Sequence, residues 1–287
     1  MICLPVPGHS RRWKLAMTMD VQVGSPYGSG YIEAFPEAID KQRGLELTRK
    51  ALALMRVHNL LDGKSASIPR ALVLGAGPGT HDEVLVQEGY RVVNVDIEPF
   101  VAWLGKRNTG GIPVDWVIAD AYRPLGFAPE SFDMALCLSA FGLSWSDDDH
   151  INLLRNLSRL LRPGSPFVLE TANGEFWLQR SDAQVERMGQ EIRAILRVRV
   201  PQFRRGLDLV ALAKHDGSLL ILEHHTRYYT VDELIPLLNR EGLRVVAVYG
   251  DLEGSGFHAE SRSIVLVGYN ARDRTGYHGL GIGACRS

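Results

Sequence analysis

Cysteine is scarce in this chain. Its 287 residues hold only three, Cys3, Cys137 and Cys285, with no CxxC pair among them. That excludes a disulfide scaffold, argues against structural zinc and points to a reducing compartment, the cytoplasm. No apolar run approaches the ~20 residues that a bilayer span requires, so no membrane partner is expected. Neither sign of charge is in excess, at a formal net of −1, and no global field draws the chain to nucleic acid or an anionic surface. Arg204-Arg205 and Arg227 form no basic stripe with interleaved aromatics, which also argues against nucleic acid. No His, Cys or carboxylate cluster has metal-ligand spacing, so no metal is expected.

What remains is ordinary globular material, 45% hydrophobic and 23% charged, enough for one large domain with an elaborate insertion. Residues 1–26 read as a disordered tail and a poor signal peptide, since the only apolar patch is broken by Pro5 and Pro7. Residues 270–287, rich in Gly and Arg, read as a second disordered tail.

Between the tails the order of elements is informative. Pro36 to Leu61 carries a rough helical stripe, weakened by Gly44. Strands read at about 70–74, 91–96, 114–119, 132–138 and 166–170, mostly continuous apolar runs of the kind that helices cover on both faces. Helices read between them, at about 80–88, 98–107 and 148–161, the last opened by a capping-box pattern at Ser146–Asp149. The alternation then breaks. Gly206–Lys214 and Ser218–Thr226 flank His215-Asp216-Gly217 as a β-hairpin. Thr230–Glu233 caps a further helix, in which Pro236 predicts a kink or an early end. Two closing strands, Leu243–Tyr249 and Ser263–Gly268, lack room for a crossover helix and must be antiparallel.

One stretch carries more chemistry than the rest. The run Ala71–Leu74 ends in glycines at 75, 77 and 79, and a second run, Arg91–Val95, ends on Asp96. Strand, tight turn, helix, strand and acid in that order place a nucleoside cofactor at the carboxyl ends of the strands. A dinucleotide site wants glycine or alanine at position 80, where this chain has Thr80.

Gly75-Ala76-Gly77-Pro78-Gly79, Asp96, Ile118–Ala121, Ser131–Met134, Ser139–Gly142 and Leu160–Gly164 together resemble the class I S-adenosylmethionine-dependent methyltransferases. Arg227–Thr230, Val248–Asp251 and Ser261-Arg262 are similar to the subgroup that methylates small molecules, often in natural-product pathways. The resemblance spans roughly residues 27–269. It implies a Rossmann-like α/β fold: a seven-stranded, mostly parallel sheet with an antiparallel last strand, helices on both faces and a hairpin-containing cap at about 172–229. It also implies S-adenosyl-L-methionine as cofactor.

Gly75, Ala76, Gly77 and Gly79 would then meet its methionine portion, and Asp96 its ribose hydroxyls, a carboxylate having two acceptor oxygens. Ile97 would pack on the adenine, Asp120 accept from its amine, and Ala121 N–H donate to a ring nitrogen. Ser139, Phe141 and Trp145 would line the floor near the transferred methyl, with Trp177 and Arg227 among the acceptor contacts. Tyr31 would cover the sulfonium, where an aromatic ring favours a cation. His224, His225 and His258 are the candidate general bases.

The expected reaction is in-line methyl transfer to a nitrogen or oxygen of a small molecule by a monomer or homodimer. One position departs from the pattern: the residue two before Gly75, usually acidic in the family, is Val73. Asp82 and Glu170 are the candidates to compensate. Val73 also leaves two alternatives: the same cofactor serving a non-methylating reaction such as a cyclisation, or a non-catalytic binding role.

Overall fold

The structure, a computed structural model, describes residues 11–14, 20–25, 27–61 and 68–272. It opens with two short antiparallel strands, β1 (Arg11–Lys14) and β2 (Asp20–Val23), inside the stretch expected to be a disordered tail. Their order comes from pairing with a distant partner, described below. Residues 273–287, most of the second expected tail, lie outside the described residues.

Helix α1 (Ser29–Ala34) follows, then a 3-10 turn (Pro36–Ile39) and α2 (Lys41–Val57). The single helix expected over 36–61 is therefore split at Asp40, whose side chain accepts a hydrogen bond from Arg43 N–H at 3.1 Å and caps α2.

The central sheet is built from β3 (Arg70–Leu74), β4 (Arg91–Asp96), β5 (Val114–Ile118), β6 (Met134–Leu138), β7 (Pro166–Ala172), β12 (Leu243–Tyr249) and β13 (Ser263–Asn270). Helices α3 (Asp82–Gln87), α4 (Pro99–Asn108), α5 (Asp147–Leu160) and α7 (Val231–Arg240) complete this layer. The strand order is β12-β13-β7-β6-β3-β4-β5. Only β13 runs against the rest, antiparallel to β12 and to β7. Parallel strands buried on both faces explain the continuous apolar runs: all five residues of β6 are buried.

Successive side chains point to opposite faces. Leu72, Leu74 and Leu169 meet Leu153, Leu157 and Leu234 of α5 and α7 on one side. Ala71, Val73 and Val168 meet Leu52, Met55 and Leu85 of α2 and α3 on the other.

Two helix ends depart from expectation. Ser146 makes no side-chain cap on α5. Asp149 instead accepts from Ser144 Oγ at 2.6 Å and pairs with Arg123 at 2.8 Å, so the capping box is not formed. The box at Thr230–Glu233 is complete, and α7 runs through Pro236 with Leu234 and Leu238 fully buried on either side. Core packing outweighs the lost hydrogen bond there.

The insertion between β7 and α7 holds a short helix α6 (Gly174–Trp177) and four antiparallel strands. These are β8 (Asp182–Met188), β9 (Glu191–Val200), β10 (Arg205–Ala213) and β11 (Leu219–Arg227). The expected hairpin is β10–β11; β8 and β9 add a second one. β2 pairs in parallel with the start of β11, giving a sheet of order β1-β2-β11-β10-β9-β8. One face packs Ile195, Val210, Leu212, Leu220 and Leu222 against Ala34, Tyr31 and Phe35 of the N-terminal segment.

Candidate functional site

The carboxyl ends of β3 to β7 lie on one side of the sheet, and the glycine turn leaves β3 there. Gly75, Gly77 and Gly79 all have positive φ, at 66°, 54° and 71°. A Cβ on Gly75 would stand 2.3 Å from Cβ of Ala140, and one on Gly79 2.6 Å from Asp82 Oδ2. A Cβ on Gly77 would meet nothing within 4 Å. The first and third glycines thus let protein close in behind the turn, while the second faces open space, the side from which a cofactor can approach the backbone. Ala76 is buried, and with Gly75 it donates its N–H to Val95 O.

Asp96, at the tip of β4, holds this turn. Its Oδ2 accepts from Gly77 N–H at 2.8 Å and its Oδ1 from Glu98 N–H at 3.0 Å. Burial pushes its carboxyl above the usual range, and the two N–H donors pull it back. Each oxygen keeps a second acceptor position, which is what a pair of ribose hydroxyls requires. Beside it, Ile97 and Ile118 stand half exposed at the tips of β4 and β5, an apolar surface of the kind an adenine ring would cover. Asp120 caps its own loop, accepting from Tyr122 N–H at 2.8 Å. The Ala121 carbonyl takes the Asn156 amide at 2.9 Å, while its N–H has no partner among the described residues. A glycine cradle open at Gly77, a carboxylate with spare lone pairs and an uncovered apolar ledge fit an adenosyl group.

Two buried polar pairs stand behind the turn; the sequence reading named Asp82 but neither Asn94 nor Thr48. Asn94 on β4 donates its amide to both oxygens of Asp82, at 2.8 and 2.9 Å. Burial lifts the Asp82 carboxyl to about 7. On the α2 side His81 meets Thr48 Oγ1 at 2.8 Å, and burial lowers it to about 4.

The next wall is the loop after β6. Ser139 adopts φ +59°, unusual for a residue with a side chain. Its Oγ donates to Glu170 Oε2 at 3.0 Å, and Ser263 Oγ donates to Oε1 at 2.9 Å, so Glu170 on β7 is fixed at the strand tip by two hydroxyls. Tyr122 Oη donates to Ala140 O at 2.7 Å and accepts from Leu143 N–H at 3.0 Å, pinning the loop. Tyr27 Oη donates to Leu143 O at 3.2 Å, and Ser25 Oγ donates to Glu98. The N-terminal segment is therefore laid from the Asp96 turn to the loop after β6.

Other expected residues are placed as follows. Tyr31 and His224 come together, ring centroids 5.3 Å apart, with Tyr27 edge-on to His224 at 5.5 Å. Burial lowers His224 to about 4, which makes it a weak proton acceptor. His225, its neighbour on the strand, faces the other way and packs on half-exposed Trp145 at 4.6 Å.

Phe141 is not on a floor: only 2% exposed, it packs against His150 and Tyr229 in the core. Arg227 is not free for an acceptor either. It is buried between Asp147 at 3.3 Å and Glu233 at 2.8 Å, and so ties the cap to α5 and α7. Trp177 donates its ring N–H to Arg262 O at 2.9 Å and does not join the group. Among the described residues no three His, Cys, Asp or Glu side chains gather as metal ligands, and no helix is long and apolar enough to cross a membrane.

Comparison with known proteins gives the same picture. A family model described as a methyltransferase domain matches residues 72–169, from the glycine turn to β7. The chain is 28% identical over 221 residues to the cypemycin N-terminal methyltransferase of a Streptomyces species, covering 75% of this chain and 87% of that one. The CcbJ methyltransferase of Streptomyces caelestis superposes with a TM-score of 0.70 at 20% identity, over 86% of this chain and 98% of that one. An S-adenosylmethionine-dependent methyltransferase of Clostridium acetobutylicum superposes equally well, TM-score 0.70 at 14% identity, over 83% and 95%. Sheet order, reversed last strand, open glycine cradle and sequence match agree: residues 72–169 match a methyltransferase domain, and the chain has the Rossmann-like fold of the S-adenosylmethionine-dependent methyltransferases.

Proposed function

We propose that the enzyme methylates the nitrogen of a small-molecule amine, in the making of a natural product. The observation that carries this reading is Glu170. Both its oxygens are held by neutral hydroxyls, and it has no cationic partner among the described residues. It lines a cavity of about 380 Å³ with Arg43, Glu46, Leu47, Lys50 and the Asp251–Glu253 turn. Lys50 is taken up by Glu46 and Glu253, at 2.7 and 2.6 Å, which leaves Glu170 and Asp251 facing the single cation Arg43. A site with that balance attracts an ammonium group and disfavours a carboxylate or a phosphate.

The bound cofactor supplies a methyl group already activated on a sulfonium. The chain contributes alignment: Asp96 and the glycine turn fix one partner, Ser139 and Glu170 the other, converting an encounter into an oriented approach. The amine must be neutral when it attacks. His224 is held too low to take a proton from an ammonium group, so that proton leaves to water. In this reading His224 and Tyr31 shape the wall and move no proton. The N-terminal methyltransferase among the relatives also supports a nitrogen acceptor.

The test is incubation of an amine library with cofactor labelled in its methyl group, read by mass. Label on nitrogen, with Glu170→Gln raising KM for the amine about tenfold and leaving cofactor affinity unchanged, is the expected outcome. Label on oxygen overturns the nitrogen assignment. A changed substrate without label favours a cyclisation, and failure to bind the cofactor at all favours a binding role.

A further inference from the structure

The cap sheet is apolar on both faces, and only one is covered. Ile195, Val210 and Leu222 lie under α1. On the opposite face the register β8–β9–β10 groups Val185, Leu196, Val198, Leu207 and Leu209. Val185 is 72% exposed, Leu196 45% and Val198 39%. A contiguous open apolar sheet face of this kind marks an association surface.

Arg205 and Arg227 on this face are tied to Asp147, and His225 stands 3.7 Å from Glu223; two further charges, Arg187 and Glu223, say what would cover it. Arg187, on β8, is paired in register with Ile192 and has no ion-pair partner among the described residues. Glu223, on β11, is paired with Leu209, beyond the point where β2 stops at Ile221. They occupy diagonally opposite corners. Along the strands the offset is the four residues from Arg187 to Ala183, about 14 Å. Across them it is the three steps from β8 to β11, also about 14 Å. The area between them is thus nearly square, with opposite charges on one diagonal and Ala183 and Leu219 on the other, and Val198 and Leu207 lie one row beyond its Ala183–Glu223 edge.

A twofold axis along the Ala183–Leu219 diagonal exchanges the two charged corners. It sets Arg187 of each copy against Glu223 of the other and makes the strands of the two sheets cross at close to a right angle, one of the two stable ways that sheets stack. An isologous contact requires a surface complementary to itself, and this face is. We propose that the open face of the β8–β11 sheet is the interface of a homodimer, packed sheet on sheet with crossed strands.

Sedimentation equilibrium of the full chain over a wide concentration range tests this, with circular dichroism to certify each variant as folded. The expected result is a dimer that Leu196→Glu converts to a monomer. Arg187→Glu sets like charges together at both corners and should weaken dimerisation roughly tenfold. Adding Glu223→Arg to the same chain should restore it. A monomeric wild type, or a dimer indifferent to Leu196→Glu, overturns the proposal and leaves the face to the chain's own terminal residues or to another protein. A dimer broken by Leu196→Glu but not rescued by the double reversal overturns the diagonal axis. None of these outcomes depends on which acceptor is methylated.

Discussion

Replacing Asp82 by asparagine should change how stability depends on pH. Asp82 is 1% exposed, with Asn94 as its hydrogen-bonding partner, and burial raises its carboxyl to about 7 in the folded chain. The unfolded chain titrates this group near the usual value, about 3.9. Below that value both states are protonated and the group's stabilising contribution is fully present. As pH rises toward 7, the unfolded chain ionises first and is favoured. Stability is therefore lost through the window from about 4 to 7, at roughly 1.4 kcal/mol per pH unit, or about 4 kcal/mol in all. The partial positive charge at the start of α3 makes this an upper figure.

Asp82→Asn keeps the shape and an acceptor oxygen for Asn94 but cannot ionise. Urea unfolding of both proteins from pH 4 to 8, checked for equal m-values, reads the difference directly. The variant should be close to the wild type at pH 4, gain on it steadily, and lead by up to about 4 kcal/mol at pH 8. Two parallel profiles would refute the reasoning, because they would mean that Asp82 titrates alike in the folded and unfolded chains.

Other perturbations separate binding from scaffolding. Asp96→Ala should weaken S-adenosylmethionine binding about tenfold or more by calorimetry, through the lost charge-assisted bonds and the loosened Gly77 N–H. Gly75→Ala forces a Cβ to within 2.3 Å of Ala140 in a left-handed backbone; it should cost about 1–2 kcal/mol in backbone strain alone and weaken cofactor binding in the same assay. Arg227→Ala leaves Glu233 with Arg204 and Asp147 with Arg205, but removes the buried cation that links them, and should cost about 1–2 kcal/mol in chemical unfolding. It should leave KM for the acceptor unchanged in the protein that remains folded, the opposite of what an acceptor contact predicts.

What the sequence could show of this fold depends on which faces are covered. The strands of the central sheet are buried on both sides, so their side chains had to be apolar throughout, and they stand out as uninterrupted runs. β8 carries no such mark: its side chains are exposed along almost its whole length, and no burial imposes a pattern. β9 does alternate, but in the sense opposite to a surface strand. Arg193, Arg197 and Arg199 lie on the α1 side, paired with Glu37, Asp182 and Asp208, while Ile192, Leu196 and Val198 face outward. At the site, the turn and Asp96 were legible because backbone geometry there demands particular residue types. Phe141 and Arg227 were not. An aromatic or an arginine beside a substrate loop turns inward or outward according to partners far along the chain, here His150, Tyr229 and Glu233.

Val73 illustrates how a missing residue can be replaced in space. The acid usual at this place in the family would point from β3 toward the turn, yet Val73 is 1% exposed and packed with Val168 and Leu136 against α2 and α3. A carboxylate there would be buried among methyl groups, without a donor of its own. Its partner in register on β4 is Asn94, and Asn94 carries its amide across to Asp82, beside the third glycine of the turn. A carboxylate therefore still backs the turn, supplied by the first residue of α3. Glu170, the other candidate to compensate, is committed to Ser139 and Ser263 on the far side of the cleft. The two acids thus divide the work, Asp82 behind the turn and Glu170 at the acceptor cavity. A charge that would have sat permanently on β3 is replaced by one that burial brings to the edge of ionisation near neutral pH.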